Sequence, residues 1–266
     1  KMEDRTNLDL DSSSNAHTFT TTGNLTATSD NPSNNFCLPN GNNGIWAGLN
    51  YANFSNGNTT VNFDSANEGF LDSTMGVAAS KWYWEVEQVS TSGSTVSIIG
   101  QAGICGTQPH ATGGATGPVT KNTDGYVLVL QTGDLKDYSG ETVAWTDDFT
   151  NGDVLMIAAD LDNSKLYFGK NGTWLNSGDP TSGATGTGAA FTIQAVPNSG
   201  YYFPVFGKES SGSYQWVMNT NFGNGYLGTT SLGTSNQDAD SIGYFKYSVP
   251  AGYYALCTKN IKAYGG

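Results

Sequence analysis

The chain has 266 residues, 37% of them hydrophobic, enough to bury a sizeable core, and one all-β domain of roughly 200–250 residues accounts for it as well as two smaller units would. Its 35 glycines, its abundant Ser, Thr and Asn and a charged fraction of only 13% argue against a helical protein, because small polar residues loosen the helical backbone or compete with it for hydrogen bonds. A formal net charge of -12, with 23 acidic against 11 basic residues and no basic cluster, repels phosphate backbones, so no nucleic-acid partner is expected.

Residues 1–35 are polar, with Leu8, Leu10, Phe19 and Leu25 as spaced apolar anchors, and read as an extended arm laid over the domain or onto a neighbouring chain. Asp9 and Asp11 alternate with Leu8 and Leu10, a pattern of solvent-facing carboxylates on an extended strand rather than of calcium ligands. The opening lacks the basic region and apolar run of a signal peptide. No stretch approaches the roughly 20 apolar residues of a membrane span, so a soluble protein with no membrane insertion is expected. A first residue Lys1 in place of methionine reads as a fragment or a processed product. Cys37, Cys105 and Cys257 lack the paired spacing of a disulfide framework or a thiolate zinc site and are expected as buried free thiols. No metal and no cofactor is expected.

From 36 to 63 come short strand-like pieces with Asn-Gly turns at Asn40-Gly41 and Asn56-Gly57, and Thr59, Val61 and Phe63 alternate with polar residues. Asn24, Asn53, Asn58 and Asn171 open Asn-x-Ser/Thr triplets, which chance supplies in a chain of this composition. KWYWEVEQV at 81–89 has period two: Trp82, Trp84 and Val86 face a core, while Tyr83, Glu85 and Glu87 face the other side, solvated or paired to a loop. Two carboxylates on one face are the minimum for glycoside cleavage. Lectin-like glucanases carry an acidic triad of the form Glu-x-Asp-x-x-Glu on such a strand. Here Glu87 stands at the middle position and the third acid is missing, so no enzymatic activity is expected, and hydrolysis of a polysaccharide through Glu85 and Glu87 is only a third reading.

VSIIGQAGIC at 96–105 is a strand whose Gly100, Ala102 and Gly103 let another layer approach, followed by a Gly/Thr-rich loop at 106–124 that contains His110 as a plain surface residue. YVLVL at 126–130 is a strand. At 152–174, GDVLMIAADLDNSKLYFGKNGTW, a continuous apolar run reads as a strand buried on both sides. A turn, a second short strand and an Asn171-Gly172 hairpin turn follow. SGDPTSGATGTG at 177–188 is a flexible loop, and the aromatic run at 201–206 is mostly core.

KWYWEVE, GIC, GYVLVLQTG, NGDVLMIAADLDNSKLYFGKNGTW, YYFPVF and NTNFG occur in the order that characterises SPRY domains, the SPRY half of B30.2 domains, over residues 77–223. The resemblance implies an all-β fold: a twisted two-sheet antiparallel β-sandwich of concanavalin A-like arrangement at 36–258. It would carry an insertion at 224–243, an extended N-terminal arm at 1–35 and an irregular C-terminal tail at 259–266. It also implies a binding scaffold that recognises partners through variable loops at one edge. In this chain the loops between the blocks are 106–124, 131–146, 176–200 and 207–214. Their binding candidates are His110, Thr112, Lys121, Asp134, Lys136, Tyr138, Trp145, Asp179, Lys208 and Tyr214.

The ending GYYALCTKNI and the upstream DSSSNAHTFTTTGNLTATSDNPSNNF are similar to the flanks of SPRY-bearing proteins of tailed bacteriophages. The function this implies is that of a non-enzymatic phage virion surface protein, a fibre, tail or capsid-surface component. It would be assembled in the host cytoplasm as a homo-oligomer, with a trimer among the options. Its partners would be other virion proteins and a host-surface glycan or protein, bound in lectin-like fashion. The alternative is a structural decoration or cement protein whose arm and long loops lock neighbouring virion subunits.

Overall fold

The computed structural model describes residues 9, 11, 13–20, 34–41, 45–46, 49–50, 52–63, 69–92, 100–106, 124–140, 142–145, 147–208 and 215–265. Two large sheets carry the fold. The first runs, strand by strand, Thr142–Val143, Leu135–Asp137, Gly125–Val129, Gly100–Cys105, Phe203–Lys208, Gly69–Asp72, with every neighbour antiparallel. The second runs Thr173–Trp174, Lys165–Lys170, Val154–Asp160, Lys81–Ser92, Gln215–Asn221, Thr60–Phe63, Ala52–Ser55; Phe191–Thr192 pairs with Lys165–Lys170, and Tyr254–Ala255 adds one parallel pairing to Lys81–Ser92. No helix among the described residues is long and apolar enough to cross a membrane.

The sheets pack as a sandwich because alternating side chains of each point into one shared core. Trp82, Trp84, Val86, Leu155, Ile157, Phe168, Trp216 and Met218 from the second sheet meet Ala102, Ile104, Leu128 and Phe206 from the first. A Cβ on Gly100 would stand 2.9 Å from the Trp216 indole of the facing sheet, so this glycine is the close approach between layers that the sequence predicts. Gly103 does something else: its Cβ would strike the Tyr126 carbonyl of the adjacent strand.

The strand Val154–Asp160 is buried along its whole length, and the reason lies outside the sandwich. A second core covers the outer face of this sheet, where Tyr83, Met156, Ala158 and Tyr167 pack against Phe36, Phe245, Tyr253, Ala255 and Cys257. The stretch expected as an insertion at 224–243, and the residues after it, therefore form a lid on the sheet. The predicted irregular tail is the helix Thr258–Tyr264, held by tertiary contacts rather than by its own short length: Tyr264 stacks on Tyr254 at 4.0 Å, and the Ser80 hydroxyl donates to the Tyr264 carbonyl at 2.8 Å. Of the predicted arm, only residues 9, 11, 13–20 and 34–35 are described, and Phe19, expected as an anchor, is 50% exposed there. The three thiols are buried and free, and burial pushes Cys37 up to about 11.

The hairpin at 152–174 is pinned at both ends. Asn171 and Gly172 take φ of 50° and 89°, the left-handed pair that a two-residue turn between Lys165–Lys170 and Thr173–Trp174 requires. At one end Lys81 bridges the buried Asp160 at 2.9 Å, and at the other Lys170 bridges Asp153 at 3.1 Å. Partial burial acts to raise the Asp153 carboxyl, but hydrogen bonds from the Thr150 N–H, Asn171, Lys170 and the Thr150 hydroxyl outweigh it and hold the carboxyl at about 2. A depressed carboxyl stabilises the fold above its unfolded value and loses that contribution as the pH falls towards 2. Acid titration of Asp153→Asn should therefore show a midpoint stability about 1 kcal/mol below the parent at pH 6, the pair being screened by solvent, and a gap that closes near pH 2.

Candidate functional site

The two sequence-predicted acids on the Trp82 strand have different surroundings. Glu85 is 0% exposed. Its Oε1 accepts the Tyr83 hydroxyl at 3.1 Å and the Tyr247 N–H at 2.8 Å, and its Oε2 accepts Asn221 Nδ2 at 3.1 Å and the Lys246 N–H at 2.9 Å. Burial pushes this carboxyl above its ordinary value against the pull of all four donors, and burial together with the Glu85 charge holds the Tyr83 phenol well above its own. Glu87 is half-buried and accepts Asn219 Nδ2 at 2.7 Å. With both Glu85 oxygens occupied under the C-terminal lid, no sugar can reach the pair from either side of the sheet. Among the described residues no three His, Cys, Asp or Glu side chains are placed to hold a metal ion.

The edges of the first sheet sort the loops. Cys105 pairs with Gly125 and with Phe203, and Tyr126 pairs with Asp137, so the segments 106–124, 138–141 and 193–202 leave the sheet at one common edge. Gly100 pairs with Lys208, Lys208 with Gly69, and Gln101 with Val129, which puts the 130–134 turn and the 209–214 segment at the opposite edge. The loops expected to act together are thus divided between two ends of the sandwich.

The candidate residues divide with them. Tyr138 stands at the first edge, 38% exposed, with its ring edge-on to Tyr126 at 5.9 Å. Asp134 is at the other edge, where its carboxylate accepts the Thr132 hydroxyl at 2.8 Å, and Trp145 packs beside that turn, its carbonyl 2.5 Å from where a Gly133 Cβ would sit. Lys136 lies in the strand between them. Asp179 belongs to a third surface, in the loop over the outer face of the second sheet, where Thr181 donates to it twice, at 2.6 and 2.9 Å, and these bonds lower its carboxyl. Lys208 corrects the sequence reading: it is the last residue of a central strand and 0% exposed, so it presents nothing to a partner. His110, Thr112, Lys121 and Tyr214 lie outside the described residues.

The first edge is built on Tyr126. Its ring also touches Phe191 at 5.3 Å and Tyr202 at 6.4 Å; the Gln194 N–H donates to its hydroxyl at 3.1 Å, and the Tyr202 hydroxyl donates to the Gln194 carbonyl at 2.9 Å. Around this buried hub Tyr201 is 48% and Val196 75% exposed. The bases of the two long loops are tied together there: the Gly106 N–H donates to the Asp124 carbonyl at 3.2 Å, the Asn198 N–H donates to the Asp124 carboxylate at 2.8 Å, and the Ser199 hydroxyl donates to the Gly106 carbonyl. Tyr201 and Val196 are absent from the sequence candidates. Tyr201 could have been found, because consecutive residues of an extended segment face opposite ways, and a buried Tyr202 turns Tyr201 outward.

No family model matches the chain, and no curated protein matches it. Among solved structures it is similar to the SPRY domain of human HERC1, with 17% identity over 64% of this chain and 91% of that one and a TM-score of 0.47. The β-sandwich assignment rests on the two packed sheets themselves.

Replacing Glu85 by Gln tests the buried acid. An amide offers one acceptor oxygen to two donors and turns its own N–H group against the other two, which costs about 1–3 kcal/mol for each donor left unmatched. Urea unfolding should register a loss of that order, larger than for Glu87→Gln on the same strand.

Proposed function

We propose that this chain is a non-enzymatic surface component of a bacteriophage virion, whose sandwich displays the loops of the Tyr126 edge for attachment to a host-surface glycan. The observation that carries the reading is the exposed aromatic and apolar group of Tyr138, Tyr201 and Val196, gathered on a buried hub where the two longest loops of the first sheet are rooted. Tyrosine faces stack on the apolar faces of sugar rings, and hydroxyl and amide groups beside them accept and donate to sugar hydroxyls. A charge-poor sandwich holds such loops in place without any cofactor, and its loops can vary without disturbing the core.

The virion assignment draws on the flanking sequences that resemble phage proteins. Both flanks are integral to the sandwich: the Cys37 N–H donates to the Leu256 carbonyl at 2.8 Å, Phe36 bridges to Cys257, and Tyr254–Ala255 lies beside Trp82 and Tyr83. Domain and flanks thus form one unit, as expected of a piece that recurs together.

A glycan array probed with the assembled protein should give specific binding, and the double substitution Tyr138→Ala, Tyr201→Ala should weaken it about tenfold or more while leaving the thermal midpoint nearly unchanged. Binding no greater than background, together with normal adsorption by particles lacking the protein, would overturn the attachment reading. Loops 106–124 and 193–202 packed against other virion chains would instead favour a decoration or cement role.

A further inference from the structure

A second acidic cluster lies beneath the C-terminal helix, apart from the Tyr126 edge. Asp238 is buried and its carboxylate is fully matched: Oδ1 accepts the Ile242 and Gly243 N–H groups, both at 2.8 Å, and Oδ2 accepts the Ala255 N–H at 2.8 Å and Asn260 Nδ2 at 3.0 Å. Asn260, fully buried on the helix Thr258–Tyr264, has two hydrogens on Nδ2 but three acceptors around it: Asp238 Oδ2, the Ala255 carbonyl at 3.0 Å and Asp240 Oδ1 at 3.4 Å. An ionised Asp240 is therefore one donor short, and it sits beside a carboxylate whose acceptor sites are already filled.

A single proton removes the shortage. We propose that Asp238 and Asp240 form a proton-dependent latch for the C-terminal helix: one proton held on Asp240 matches donors to acceptors and locks the helix, and its loss sets two carboxylates against each other and loosens it. Burial first, and then the hydrogen bond and charge of Asp238, hold the Asp240 carboxyl up at about 6. A raised carboxyl stabilises the folded form fully below its unfolded value of about 4 and loses that contribution as the pH rises through about 6.

The other groups around the pair do not change charge in that window. Tyr254 on the adjacent strand and Cys257 at the head of the helix are both raised, chiefly by burial and with a contribution from the two aspartates, and both stay neutral. Tyr264 of the helix stacks on Tyr254, and the helix lysines Lys259 and Lys262 are exposed. Asn34 and Asn35, which bond to the head of the helix, are uncharged. At its far end the helix meets Ser80, whose N–H is donated to Asp162.

Hydrogen exchange on the full chain tests the latch through the Ile261 and Gly265 amides, which donate to the Cys257 and Ile261 carbonyls. After correction for intrinsic rates, opening of these amides should be about tenfold more frequent at pH 7.5 than at pH 5, a figure reduced for the solvent that reaches Asp240. Asp240→Asn, which keeps a donor at every pH, should hold both amides equally protected at the two values. A wild-type change below about twofold, an Asp240→Asn protein that keeps the tenfold change, or an Asp240 carboxyl that titrates by NMR below about 4.5 would each overturn the latch.

Discussion

A carboxylate taken out of water needs donors for its oxygens, and Glu85 draws them from three distant parts of the chain: Tyr83 two residues away, Asn221 on the adjacent strand, and the main chain at Lys246 and Tyr247. That requirement brings the C-terminal segment across the outer face of the second sheet. Once it is there, Tyr83, Met156, Ala158 and Tyr167 have a partner layer, and the strand Val154–Asp160 is dry on both sides. The same segment reaches the hairpin, where Tyr247 stands 3.0 Å from where a Gly172 Cβ would be and its hydroxyl donates to Asn171 at 3.4 Å. Asn221 links the parts: Nδ2 serves Glu85 and the Tyr244 carbonyl, and Oδ1 accepts the Gly223 N–H at 2.9 Å, so the turn after the strand is shaped by the same contact.

Covering one sheet in this way leaves the other to meet a partner. The first sheet ends in a row of strand termini at Cys105, Gly125, Asp137 and Phe203, and the loops that leave there are rooted in Tyr126, Asp124 and Ser199 rather than in the main core. Loops anchored only at their bases tolerate substitution at their tips, the property an attachment surface needs.

Much of the sandwich is legible in the sequence, because its cues are local. Period two on Trp82, Trp84 and Val86 assigns the core face, the unbroken apolar run at 154–159 marks a strand covered on both sides, and Asn171-Gly172 has the backbone freedom its turn uses. The candidate site is less legible, because edge membership depends on strand order. Only after Phe203–Lys208 is placed between Gly69–Asp72 and Gly100–Cys105 does it follow that Tyr138 and Asp134 stand at opposite ends. Lys208 misleads for a related reason: a charged residue next to a polar segment reads as loop, yet it pairs with both neighbours of a central strand. The closing helix escapes because its seven residues are too few to form alone and depend on Asn260, Tyr254 and Ser80.

The account turns on the C-terminal segment being core rather than covering, and the Lys246 and Tyr247 amides that donate to Glu85 report it directly. Native-state hydrogen exchange at pH 5 should protect them to within about threefold of the Trp84 and Ile157 amides of the sheet, since all four would open only when the domain unfolds. Exchange of Lys246 and Tyr247 about a hundredfold or more faster than the sheet would show the segment opening alone and would contradict the account.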